Sequence, residues 1–175
     1  VRRRLVLLGV LVSAAVVVAV AALPAPRPKE FVSAQHKFRV QFGGPPEVTA
    51  NVGAGSKSNT YTVESPAGAL TVIITEMPVP DGDPPERAPL YLNSARDDLI
   101  RAAGGERVSS ASITLAGKYP GCEFRARFRQ PQPGAMRARL YLVGKRLYQV
   151  MAIGTEEFVS APAATTFLNS FMVTE

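Results

Sequence analysis

The chain has no tryptophan, one cysteine and one histidine in 175 residues, and each scarcity removes a class of chemistry. With Cys122 alone, neither an intramolecular disulfide nor a cysteine-rich metal site can form. A hydrolytic triad needs a base beside its nucleophile. The only histidine, His36, sits in a polar stretch before the first clear strand with no nucleophile motif near it, and reads as an exposed residue. There is no GxSxG, no phosphate-binding glycine loop and no HExxH. Asp97 and Asp98 are adjacent, so on a helix they point about 100° apart and read as its polar face, not as a catalytic carboxylate pair. Cys122 falls on the apolar side of a strand, where a thiol behaves as a small buried hydrophobe. The expectation is a protein without catalytic residues, metal or cofactor; an enzyme whose site the sequence hides ranks third among the alternatives below.

Charge is also scarce. Only 19% of residues are charged, yet the net charge is +6 and the pI about 9.8. Three of the 20 basic residues are Arg2, Arg3 and Arg4, ahead of an apolar run; without them 17 basic face 14 acidic residues, a net of +3. No lysine-rich helix, finger or tail is present to carry nucleic acid, which argues against it as a partner.

The run from Leu5 to Leu23 is free of charge and ends among small residues such as Ala19 and Ala21, the pattern of an export signal. Its length of about 19 residues also approaches the roughly 20 that span a bilayer, so a cleaved signal and a retained anchor both stay open. The arginines hold the N-terminus in the cytoplasm and place the remainder outside it, in a periplasmic or other extracytoplasmic space. No cysteine follows the run, which excludes lipid modification there. Residues 1–23 are thus read as signal or anchor, 24–29 as a proline-rich spacer carrying Pro24, Pro26 and Pro28, and 30–175 as one domain.

Within that domain alternation dominates. Phe38, Val40 and Phe42 alternate with polar neighbours, residues 47–52 follow as a second strand, and 59–64 with 69–77 form a hairpin about Ser65, Pro66, Ala67 and Gly68. Residues 78–89 hold five prolines with Asp81, Asp83 and Glu86 and read as a solvated loop with too few organised oxygens for calcium. Leu92, Ala95, Leu99 and Ala103 recur at helical spacing until Gly104 and Gly105 stop them. Residues 108–115 are a strand leading to a turn at 117–121. Residues 161–170 form a C-terminal helix with Ser160 as N-cap, closing over the sheet. The fold class is α+β, a mainly antiparallel sheet of about six to eight strands on two principal helices.

Its centre is the stretch 122–153, read as three antiparallel strands, the last of them central in the sheet. Cys122, Phe124, Ala126 and Phe128 alternate with Glu123, Arg125, Arg127 and Arg129; Met136, Ala138, Leu140 and Leu142 alternate with Arg137, Arg139, Tyr141 and Val143. Pairing Arg129 with Arg137 and Arg127 with Arg139 satisfies both faces. Five arginines, Arg125, Arg127, Arg129, Arg137 and Arg139, then share one face, where opposed like charges cost up to about 1 kcal/mol per pair. Solvent screening and carboxylates such as Glu123 would reconcile them. Alternatively they form a docking face for an acidic envelope protein, an anionic polymer or a membrane surface, with Tyr141 and Tyr148 adding aromatic contact.

The series FRVQFGGPPEV, YTVES, a helix closed by two glycines, YPGCEFRARF, YLVGKRLYQVMAIG and FLNSF resembles small exported domains of planctomycete-type bacteria in the PsbP-like superfamily, over about residues 38–171. The resemblance implies a PsbP-like α+β fold and an extrinsic binding or assembly role instead of catalysis. Such sequences often carry a polar or basic residue after YPG, so Cys122 is a departure, and the resemblance brings no catalytic residues with it. The functional expectation is an exported, non-enzymatic interaction or assembly domain at the cell envelope; the alternative is a purely structural envelope protein without a ligand site.

Overall fold

The computed structural model describes residues 29–53, 56–80, 85–129 and 133–174. The export run, nearly all of the spacer, and Asp81 and Asp83 of the proline-rich loop lie outside them. In chain order the strands and helices are β1 (Lys29–Ser33), β2 (Phe38–Phe42), β3 (Glu47–Gly53), β4 (Ser56–Ser65), β5 (Gly68–Glu76), α1 (Ala88–Ala102), β6 (Gly105–Leu115), β7 (Tyr119–Phe128), β8 (Gly134–Val143), β9 (Arg146–Gly154), α2 (Glu156–Ser160), α3 (Pro162–Ser170) and β10 (Met172–Val173). The architecture is α+β and antiparallel throughout its pairings. A seven-stranded sheet runs β3-β4-β5-β9-β8-β7-β6, and a three-stranded one runs β1-β2-β10. The ten strands among the described residues exceed the expected six to eight by the two short ones, β1 and β10, whose few residues carry little alternation.

Three layers result. One face of the large sheet presents Cys122, Phe124, Met136, Ala138, Leu140, Leu147 and Met151 to Leu92 and Ile100 of α1. The opposite face presents Tyr61, Val72, Tyr141, Tyr148 and Val150 to Phe38, Val40 and Phe42 of β2 and to Phe167, Leu168 and Phe171 at the end of the chain. On that same side Ala135 and Ala152 receive Val159 of α2 and Ala164 of α3. The central strand β9 is buried on both faces, as its nearly continuous apolar sequence predicts.

Several local expectations change. The expected C-terminal helix is α3, but Ser160 does not cap it: Ser160 ends the preceding short helix α2, the N-cap of α3 is Ala161 with no side-chain hydrogen bond, and α2 is capped by Thr155, whose hydroxyl accepts from the Phe158 N–H at 3.1 Å. The turn before β7 is shorter than 117–121, because Tyr119, Pro120 and Gly121 already pair with β6. Helix α1 stops as expected, with Gly104 at φ +59° just past its last turn. The predicted Leu92, Ala95, Leu99 and Ala103 all pack on the core, but the most buried residues are Ala88, Leu92, Arg96 and Ile100, so the contact face is wider than expected and includes a charge.

The β7–β8 register differs from the expected one by four residues. Phe128 pairs with Gly134, Arg125 with Arg137, and Glu123 with Arg139. Gly134 is already in the strand opposite Phe128, and the Phe128 ring lies where its Cβ would be, so the position admits only glycine and the hairpin is tighter than the proline-glycine turn suggested. An even slip preserves every residue's face, so the arginines stay together while their partners change.

Candidate functional site

The face carrying the arginines is not open to water along its length, because α2 and α3 lie on it. The tightest cluster forms around Glu123. Arg139 donates from Nε to Glu123 Oε2 at 2.8 Å, and Arg137 donates from Nε and Nη2 to Glu123 Oε1 at 3.1 and 3.0 Å. Both guanidiniums also hold α3: Arg137 Nη1 donates to Thr165 Oγ1 at 2.9 Å, and Arg139 Nη1 to the Leu168 carbonyl at 3.1 Å. Burial alone would raise the Glu123 carboxyl, but the hydrogen bonds and charges of Arg139 and Arg137 outweigh it and hold the group below its usual range. The inner arginine side chains keep only 20% and 18% of their surface exposed.

Farther along the row the partner is Glu156, in the first turn of α2, where a carboxylate also suits the helix N-terminus. Arg125 donates to Glu156 Oε1 and to Ser160 Oγ, and Arg127 Nε donates to Glu156 Oε2 at 3.3 Å. Arg125 and Arg137 stand directly opposite each other, yet each turns to its own carboxylate, which removes the expected like-charge cost. Arg127 remains 65% exposed at its side chain. Arg129 lies past the end of β7 and is exposed, with no ion pair to a carboxylate among the described residues. These two border an open groove of about 780 Å³ that also takes in Glu106, Arg107 and Glu156.

Other sequence-level candidates fall elsewhere. Tyr141 and Tyr148 cannot extend an exposed face: both are buried and pack against Phe171, Tyr141 in parallel at 5.7 Å between centroids. His36 is buried, not exposed. Its Nδ1 shares a 2.6 Å hydrogen bond with the Tyr61 hydroxyl, its N–H donates to Ser33 Oγ, and its carbonyl accepts from the Tyr148 hydroxyl at 2.9 Å. Burial, with the nearby charge of Arg146, lowers its proton affinity. Cys122 is buried against α1, and burial pushes its thiol up. Asp97 and Asp98 are exposed and salt-bridged to Arg96 and Arg101.

Nothing in the helical periodicity marks Arg96 as a buried residue, since a charged side chain on an amphipathic helix reads as solvated. It is only 8% exposed. No group of acidic, histidine or cysteine side chains suited to a metal occurs among the described residues, and no helix among them is long and apolar enough to cross a membrane.

No family model and no curated protein matches the chain. Among solved structures it is similar to cyanobacterial PsbP (CyanoP) from Synechocystis sp. PCC 6803, at 14% identity and a TM-score of 0.56, with 93% of this chain and 98% of that chain covered. A second similarity, to the protein of unknown function PA94 from Pseudomonas aeruginosa, has 12% identity and a TM-score of 0.42 over 66% of this chain and 87% of that one. The near-complete coverage in both directions establishes the first as a shared fold.

Proposed function

We propose that this PsbP-like chain is an extracytoplasmic, non-enzymatic interaction domain that docks an acidic protein partner at the outer end of its arginine row, through Arg127 and Arg129. One observation carries the reading: the row is divided. Arg137 and Arg139 are committed to Glu123 and α3, whereas Arg127 is two-thirds exposed and Arg129 has no carboxylate partner among the described residues. An exposed guanidinium beside a groove suits bidentate recognition of carboxylates. The extracytoplasmic setting rests on the arginine-led apolar run at residues 5–23. The absence of catalysis rests on the fold shared with cyanobacterial PsbP and on a lone histidine spent in a buried network.

A polyglutamate matrix provides the test. The chain should be retained and elute with added salt, because exposed charges are screened over about 8 Å at physiological ionic strength. The Arg127→Gln/Arg129→Gln variant should elute at clearly lower salt. Equal elution of the two proteins would remove the docking role and leave the purely structural reading.

A further inference from the structure

On the opposite face of the sheet, the seam between α1 and the edge strand β6 is polar where a helix-sheet contact is ordinarily apolar. Directly opposite residues in an antiparallel pair share a face. Ser110 pairs with Phe124, Ser112 with Cys122 and Arg107 with Ala126, which places all three β6 side chains on the α1 side. From the helix, Arg96 enters the same seam in the middle of the buried stripe between Leu92 and Ile100.

The Arg96 guanidinium is oriented by side chains. Its Nε donates to Asp97 Oδ1 at 2.8 Å, and its Nη1 donates to Asn93 Oδ1 at 2.8 Å and to Ser110 Oγ at 3.1 Å. Nη2 enters none of these bonds, which leaves a fixed cation with a donor edge that has no side-chain acceptor among the described residues. A pocket of about 480 Å³ opens there, lined by Arg96 with Asn93, Arg107, Ser110, Ser112 and Cys122, and its volume falls in the roughly 300–1,000 Å³ range of small-molecule sites. Arg96 and Arg107 outnumber the carboxylate they share, Asp97, which is 2.8 Å from Arg96 Nε and 3.9 Å from Arg107 Nη1. An ordered cation, a second, half-exposed one and two serine hydroxyls complement a tetrahedral oxyanion, whose oxygens take several donors at once.

From this geometry we infer that the pocket between α1 and β6 binds a phosphate-type oxyanion, either the free ion or the end of a phosphomonoester. The site lies on the other face of the sheet from the arginine row and shares Arg107 and Val108 with the groove beside it, whereas Arg96, Ser110 and Ser112 belong to it alone, so their variants test it apart from the docking role.

Cys122 lines the pocket and is the only thiol of the chain, which makes it a local reporter. Alkylation of the full chain by iodoacetamide is followed to completion at fixed ionic strength, in phosphate and in chloride. Phosphate at about twice its dissociation constant should slow labelling by about threefold, by mass action on the occupied state. The conservative Ser112→Val and Arg107→Gln variants, on an exposed edge strand, should fold and lose most of that protection; Arg96→Lys should lose it if it folds. Glycerol 3-phosphate protecting at lower concentration than phosphate would identify a phosphomonoester, and the reverse order the free ion. Equal labelling in phosphate and chloride would overturn the inference. So would protection that persists undiminished in both the Ser112→Val and Arg107→Gln variants.

Discussion

Glu123 and Arg139 stand directly opposite each other on β7 and β8, joined by a 2.8 Å hydrogen bond, and the pair carries Arg137 with it onto α3. One carboxylate thereby satisfies two arginines that would otherwise repel each other, and the two arginines tie the C-terminal helix to the sheet. A row that looks like a binding surface is for half its length a clasp.

Replacing Glu123 by Gln keeps the shape but leaves two largely buried guanidiniums without their anion. The expected loss is about 2–3 kcal/mol, between the values for exposed and fully buried pairs, read from urea denaturation. The carboxyl is held below its ordinary value of 4.5 in the folded state, so its contribution is present above that value. It should disappear as pH falls through the lower folded value, because the unfolded chain takes up the proton first. The variant should lose that part of the acid sensitivity; an unchanged acid profile would contradict the pairing.

His36 should act in a higher window. Its folded-state affinity for protons is lowered from the ordinary value of 6.5, so the unfolded chain binds more protons there and stability rises with pH. Stability should fall as pH drops below about 6.5 and level off once the folded form is also protonated. His36→Gln should be less stable near neutrality, through lost contacts with Tyr61, but flatter as pH falls below about 6.5. A variant with the same slope as the parent would assign that slope to another group.

The strands other than β1 and β10, the helix stop at Gly104 and the central place of β9 are legible because each depends on local alternation or backbone conformation. The face of each arginine was legible for the same reason. Their partners were not: register depended on Phe128 covering Gly134, a contact that composition does not display. The burial of His36 is invisible in its local sequence because it arises from Tyr61 and Tyr148, 25 and 112 residues away. Tyr141 and Tyr148 were placed at the surface because nothing local shows that Phe171 returns over them. Arg96 escaped notice because a buried charge is visible only with Asn93 and Ser110 already around it. Helix α2 is a five-residue element whose signal, Thr155 before two glutamates, is too short for periodicity to reveal.

The division of the arginine row is tested most directly by urea denaturation of two double variants side by side. Arg137→Gln/Arg139→Gln strips Glu123 of both partners and frees α3, and should cost about 3 kcal/mol or more. Arg127→Gln/Arg129→Gln removes only exposed charge and should stay within about 0.5 kcal/mol of the parent. Losses of similar size in the two variants, or a loss confined to the Arg127 and Arg129 pair, would contradict the account.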